Sequence, residues 1–185
     1  MFNKYKDERH QEQAHEFLKE LGEFVLSFER VCENMRHAIM FMLRSQGLNN
    51  QDMAFVIVGD KTSSELQVLF GALFMEMPNQ DEDDKKCVKE LLKRIKKITE
   101  QRNILLHSAW DLGHQASWDK EILAVATRFR TKQNTGADIQ PHGVNPSYLR
   151  ELGLELTSIQ VLVERLLYCI SQPQFKVSTE LNKEI

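Results

Sequence analysis

Between Asp7 and Arg44 apolar residues recur with steps that alternate between four and three: Ala14, Leu18, Leu21, Val25, Phe28, Cys32, Met35, Ile39 and Met42. That is a 3.5-residue period, the spacing of a helix that buries one stripe in a bundle or coiled coil. Phe17, Phe24 and Val31 widen the stripe, so this helix is expected to meet two neighbours rather than one. Its roughly 38 residues would span about 57 Å at 1.5 Å each. That is longer than a compact domain of this size is wide, so one end is expected to project or to mediate dimerisation. A chain organised round such a helix is not an all-β protein. Its 8 Gly and 4 Pro are also too few for a turn-dense or linker-rich chain.

The remaining punctuation supplies more helices. The segment Ser45 to Asp52, with its Gly and Asn breakers, ends the first one. Thr62 and Glu65 fit a capping box, which predicts a helix from Ser63 to Met77 that Pro78-Asn79 stops. Four acids, Asp81 to Asp84, then stand where the dipole of a third helix favours them, and that helix is expected from Glu82 to about Leu106. From Ile122 to Thr131 the pattern alternates instead. Leu123, Val125 and Phe129 fall on one side, with Ala124, Ala126, Arg128 and Arg130 on the other. This predicts a strand, which Asn134-Thr135-Gly136 can turn into a short hairpin over about 119–142. Asn145-Pro146 makes an N-cap and first helical position, and Leu149, Leu152, Leu156, Ile159, Val163, Leu166 and Ile170 carry a last long helix up to Pro173. The expected fold is all-α: a four-to-five-helix bundle with a small β-hairpin inserted before the last long helix. Residues 1–172 would form one domain and 173–185 a C-terminal tail.

Composition narrows the chemistry. A net charge of −3 excludes a strongly basic coat for nucleic acid but leaves room for local basic patches. Cys32, Cys87 and Cys169 are odd in number and far apart, which argues against a disulfide framework or a cysteine zinc site and for a reducing, cytoplasmic setting. The first residues lack the apolar core of a secretion signal, and no apolar run is long enough to span a membrane. No metalloprotease, nucleophile-elbow or EF-hand signature occurs, so neither a metal nor a cofactor is expected. Gly59-Asp60-Lys61-Thr62 lacks the upstream glycine of a phosphate loop. His10 and His15 stand about 140° apart on a helix, poor geometry for one metal, and read as a solvated first turn.

One segment carries chemistry: Arg102-Asn103-Ile104-Leu105-Leu106-His107. Arg102 falls in the middle of an apolar stripe of the third helix formed by Cys87, Val88, Leu91, Leu92, Ile95, Ile98, Leu105 and Leu106, whereas Asn103 and His107 share the other side at i and i+4. Their row continues through Lys89, Lys93, Lys96 and Glu100. From Lys85 to Arg102 there are eight basic and two acidic residues, a local +6. Such a track is what an approach for phosphates looks like, although rows of this kind are also the ordinary solvated faces of amphipathic helices.

The segment resembles the Arg-x4–6-His motif of HEPN-domain ribonucleases, in which a polar residue, often Asn, follows the Arg. The spacing also occurs at Arg9/His15 and Arg30/His37, but only Arg102 is followed by Asn and only it stands at a helix end. The resemblance implies a helical bundle that dimerises with two motifs across the interface. It also implies metal-independent RNA cleavage by a ribose 2′-OH, with Arg102, Asn103 and His107 as the site. A toxin–antitoxin, phage-defence or stress-response setting, with an antitoxin or regulatory protein as partner, follows from the resemblance too. Toxins of this family that pair with a nucleotidyltransferase carry a Tyr two residues after the His; here that residue is Ala109, so that regulation is not supported. Lys89, Lys93, Lys96, Arg128 and Arg130 are the expected RNA contacts, and Lys132 shares the strand face of the last two. Trp110 is expected in the core at the helix end, with base stacking as the other option, and His114 is a reserve acid or base. The competing expectation is a non-catalytic helical module, dimeric, that binds a nucleotide, RNA or a protein.

Overall fold

The computed structural model describes residues 7–112, 124–132 and 136–183, with the backbone alone for 129–132 and 136–138. In chain order it contains α1 (Glu8–Ser45), α2 (Gln51–Val58), α3 (Ser63–Glu76), α4 (Glu82–Leu106), β1 (Ala109–Leu112), β2 (Ala124–Lys132), β3 (Gly136–Val144), α5 (Pro146–Ser171) and α6 (Val177–Leu181). The chain is mostly helical, but it is not purely all-α. The expected hairpin belongs to a three-stranded antiparallel sheet of order β1-β2-β3, and its turn residues Asn134 and Thr135 lie outside the described residues. Among the described residues no helix is long and apolar enough to cross a membrane. Two compact units divide the chain. One comprises Met1–Leu26 and Glu100–Leu154, the other Ser27–Thr99 and Glu155–Ile185. They are called here the sheet unit and the helical unit.

Large side chains fill the helical unit. Phe28, Val31, Met35, Ile39 and Met42 of α1, Leu66, Phe70 and Phe74 of α3, Val88, Leu91, Ile95 and Ile98 of α4, and Leu156, Ile159, Val163 and Leu166 of α5 are all buried. Gly71 of α3 faces α4 closely: a Cβ there would lie 3.1 Å from Leu92 Cδ1, which would have to give by a few tenths of an ångström. At the same packing contact Thr99 is buried, donating to the Ile95 carbonyl at 2.8 Å and meeting Ser63 Oγ at 3.1 Å and Gln67 Nε2 at 3.0 Å. Arg94 of α4 grips Glu155 of α5 through two bonds of 2.8 and 3.0 Å and reaches Ser158 Oγ at 2.8 Å. All three cysteines are free thiols, and burial pushes that of Cys169 up to about 11.

Helix ends follow the local chemistry. Thr62 Oγ1 accepts from the Glu65 N–H and Glu65 returns the bond, the capping box expected for α3. Asp81 and Asp84 make the same reciprocal pair at the start of α4, where the Asp84 N–H reaches Asp81 Oδ1 at 2.9 Å. Asp84 is buried and also accepts the Ser178 N–H at 2.7 Å, capping α6, whose own N-cap Lys176 supplies no side-chain bond. The Lys176 ammonium sits 2.7 Å from Asp81; it holds the Asp81 carboxyl below the usual carboxylate range and is itself raised by that contact. The segment after Pro173, expected as a tail, thus carries α6.

The sheet unit is built from smaller pieces. Strand register places Trp110 opposite Ala126 and Ala126 opposite His142. Alternation then puts Trp110, Leu112, Ala124, Ala126, Arg128, Gln140, His142 and Val144 on one face. Ala124, Ala126 and Val144 are buried there, while Ala109, Asp111, Ile139, Pro141 and Gly143 of the other face are exposed. This inverts the expected orientation of β2: its alanine side is covered and its Val125 side faces out. Phe17 of α1 meets Trp110 edge-on, with ring centroids 5.2 Å apart, and the residue opposite Trp110 on β2 is the buried Ala126. His10 is half-buried rather than solvated; its Nε2 lies 3.1 Å from the Leu112 carbonyl oxygen at the end of β1. At the start of α5, Asn145 Oδ1 accepts the Tyr148 N–H at 2.8 Å, as its place before Pro146 requires.

The stripe of α1 is also displaced from its expected centre. Phe17 and Phe24 are buried, whereas Leu18 is 43% exposed and Leu21 and Val25 are half-buried. The helix turns its rings inward because they remove the most apolar area from water.

Candidate active site

The last turn of α4 gathers the expected residues. Besides Thr99, the buried positions along this helix are Asp84, Val88, Leu91, Ile95, Ile98 and Leu105, stepping by four and three, and Arg102 occupies the place in that series between Ile98 and Leu105. Arg102 is only half-buried, and its Nη1 donates to Asn103 Oδ1 at 3.3 Å. The guanidinium and the amide of adjacent residues are thereby tied together at the helix surface. His107 stands just past the last residue of α4 with its side chain exposed, and its backbone N–H still closes a helical bond to the Asn103 carbonyl at 3.2 Å.

What holds this turn is a set of caps. A helix leaves its last carbonyls without intrahelical donors. Here Ser108 Oγ donates to the Ile104 carbonyl at 2.6 Å, and Trp110 Nε1 donates to the Leu105 carbonyl at 2.9 Å. With the His107 N–H on Asn103, three successive carbonyls are occupied. His107 therefore hangs from a fixed backbone although its ring is open to solvent. The caps are Ser108 and Trp110, so the imidazole is not used for that purpose. Trp110 is half-buried and packs against the buried Phe17, and its indole N–H is committed to a carbonyl.

Two further residues of α5 were missed in the sequence, one bracing this turn and the other pairing with α1. The Tyr148 hydroxyl donates to Gln101 Oε1 at 2.7 Å, and burial, with the nearby Glu151 carboxylate, pushes the phenol above its ordinary value. It stays a proton donor in that bond. Arg150 pairs with Glu16 and, at 3.1 Å, with Glu20 of α1. Tyr148 had a weak signal, as an aromatic residue one turn into a capped helix. Its partner is 47 residues away, which local spacing does not reveal.

The expected RNA contacts are not all equivalent. Lys89, Lys93 and Lys96 are exposed on α4, within the helical unit, and Lys93 pairs with Glu90 at 3.7 Å. Such an exposed pair contributes well under about 1 kcal/mol and leaves the ammonium open to other anions. Arg128 does not project from a solvated face: it is half-buried on the side of β2 that covers Ala124 and Ala126. Arg130 pairs with Asp138 in strand register, and its side chain and that of Lys132 lie outside the described residues, as does His114. Among the described residues no group of three or more His, Cys, Asp or Glu side chains converges as a metal site. No family model, curated protein or solved structure matches this chain.

Proposed function

We propose that this chain is a metal-independent endoribonuclease of the HEPN type, with Arg102, Asn103 and His107 as its working residues. One observation carries the reading: a guanidinium tied to Asn103 and an exposed imidazole stand at the end of α4, on a backbone whose Asn103, Ile104 and Leu105 carbonyls are bonded. In the proposed reaction an imidazole takes the proton of a ribose 2′-OH as its oxygen attacks the adjacent phosphorus. The P–O5′ bond breaks, and the leaving 5′-oxygen receives a proton. Arg102 stabilises the charge on the non-bridging oxygens through its fixed fork. Asn103 holds that fork, and a ribose hydroxyl is its second possible contact. An acid and a base acting together fit two copies of the motif across a two-fold axis, which is the arrangement the resemblance implies. RNA backbone would be drawn by Lys89, Lys93, Lys96 and, from the sheet, Arg128 and Arg130. A toxin–antitoxin, phage-defence or stress-response role, with an antitoxin or other regulatory protein as partner, belongs to the same proposal.

The products test it. Incubation with RNA in the presence of a chelator is expected to yield fragments ending in 2′,3′-cyclic phosphate and beginning with 5′-OH. Chelator-sensitive cleavage, or 3′-OH ends, would count against the mechanism. The half-burial of Arg102 in the α4 stripe favours one competing reading, a non-catalytic module that uses the motif to bind a nucleotide or RNA. Binding without turnover, unchanged in His107→Ala, would select it.

A further inference from the structure

Three helices of the helical unit end at one cavity of about 360 Å³. Ser45 closes α1, Met77 follows α3, and Cys169 and Ile170 lie in the last turn of α5; all four line the space. A helix carries partial negative charge at its C-terminus. α4 and α6 begin here too, but N–H groups of their first turns are already taken. Asp81 accepts the Asp84 N–H at 2.9 Å, and Asp84 accepts that of Ser178 at 2.7 Å. The charged side chains of the wall are Asp81, Asp84 and Lys176, two carboxylates and one ammonium. Lys176 is committed to Asp81 at 2.7 Å. Asp84 is only 3% exposed, and its bonds come from two backbone N–H groups, those of Asp81 and Ser178. Among the described residues no cation pairs with it, although buried carboxylates ordinarily have one. Gln80 Oε1, on the same wall, is buried and accepts no hydrogen bond. The rest of the lining is largely apolar, with Pro78, Pro173 and Phe175 beside Met77 and Ile170.

We infer that this cavity binds a small primary alkylammonium ion, its charged end on Asp84 and Gln80 and its stem along Ile170, Pro173 and Phe175. An ammonium group offers three donors and no acceptor, which suits an unpaired buried oxygen next to a buried carboxylate without a counter-ion. An anion would meet a net negative wall and three helix C-termini. A neutral apolar ligand would leave Asp84 and Gln80 as they are, without a cation or a donor. An inorganic cation such as calcium needs six or more oxygens close around it. Here much of the wall is carbon, and among the described residues no three His, Cys, Asp or Glu side chains converge. The volume stands at the small end of the roughly 300–1,000 Å³ of ligand sites, so the stem is a few carbons long. At the rim Phe175 packs on Tyr168 with ring centroids 4.9 Å apart, and a held aromatic ring attracts a cation. The inference does not rest on the ribonuclease reading: the cavity belongs to the helical unit and the motif to the sheet unit.

A titration of the nitrogen-15-labelled full chain with n-butylammonium chloride at pH 7, followed by NMR, tests it. Saturable shifts of the Gln80, Asp84 and Ser178 amide signals are expected, with a dissociation constant of roughly 1–10 mM for so small a ligand. 1-Butanol and sodium chloride at the same concentrations should leave those signals in place. Asp84→Asn should abolish the saturable shifts. Because Asp84 also caps α6, that change can disturb the fold, and Gln80→Leu provides the second variant. It should stay folded and bind about tenfold more weakly or worse, since a hydrogen bond to a charged group is lost. No saturable shift with butylammonium, or equal shifts with butanol or sodium, would overturn the assignment. So would unchanged affinity in Gln80→Leu.

Discussion

The two units are stabilised in different ways. In the helical unit large side chains interlock: Phe28, Phe70, Phe74, Met35 and Met42 are buried, and its polar contacts, Arg94 on Glu155 and Asp84 on the Ser178 N–H, join one helix to another. Among the described residues the sheet unit buries fewer rings, Phe17 and Phe24, and Phe17 meets Trp110 on the sheet face that carries the buried Ala124 and Ala126. The candidate motif belongs to this second unit. A site needs exposed groups on a fixed frame, and here the frame is a capped helix end, whereas burial of bulk is concentrated in the other unit.

That difference can be broken from either side. The largest stability loss is expected from Phe70→Ala in the helical unit, about 3–5 kcal/mol, because a buried ring leaves a cavity its neighbours fill only partly. For a chain of this size that lowers the melting temperature by roughly 6–20 °C. A change of less than 1 kcal/mol would mean that this core is not interlocked. In the sheet unit enlargement, not truncation, should do the damage. Ala126→Leu is expected to cost about 1–3 kcal/mol by chemical denaturation, since Ala126 is fully buried. A neutral result would show that the alanine face of β2 is open.

A smaller, pH-dependent effect should come from the surface pair Asp81–Lys176. The Asp81 carboxyl is lowered by Lys176, so its contribution is present above the ordinary carboxylate range near pH 3.9 and disappears as pH falls through the lowered value. Lys176 is raised by Asp81, so its contribution is present below its ordinary value near pH 10.4 and disappears as pH rises through the raised one. The stability difference between the wild-type chain and Lys176→Ala should therefore be flat from about pH 5 to 9 and shrink at both extremes. A difference that varies across the neutral range would contradict the pairing.

Long-period signals in the sequence located most of this. The ends of α1, α3, α4 and α5 lie within a residue or two of where caps and periodicity put them, and Thr62, Asp81 and Asn145 act as the caps their types suggest. What escaped were features decided by partners far along the chain. α2 has apolar residues on every side, so it has no period, and it follows Asn and Gly that read as a breaker. α6 depends on Asp84, 94 residues away, for its first bond. β1 is four residues long and exists only because β2 pairs with it. Alternation in β2 is legible, but which side is covered depends on the strands beside it, where Ala126 stands opposite Trp110 and both Ala124 and Ala126 are buried. Within the site, Arg102, Asn103 and His107 were legible as a motif. The caps from Ser108 and Trp110 and the brace from Tyr148 required the folded chain.

The central claim concerns His107 and is tested most directly by one comparison: the single-turnover rate of RNA cleavage by the wild-type chain and by His107→Ala, with the melting temperature of each recorded. General acid–base catalysis contributes typically 10²–10⁴-fold, so the variant should lose on that order of rate. Its melting temperature should stay within about 2 °C, since an exposed side chain contributes little to stability. Equal cleavage rates in the two proteins, or no cleavage by the wild-type chain, would contradict the assignment.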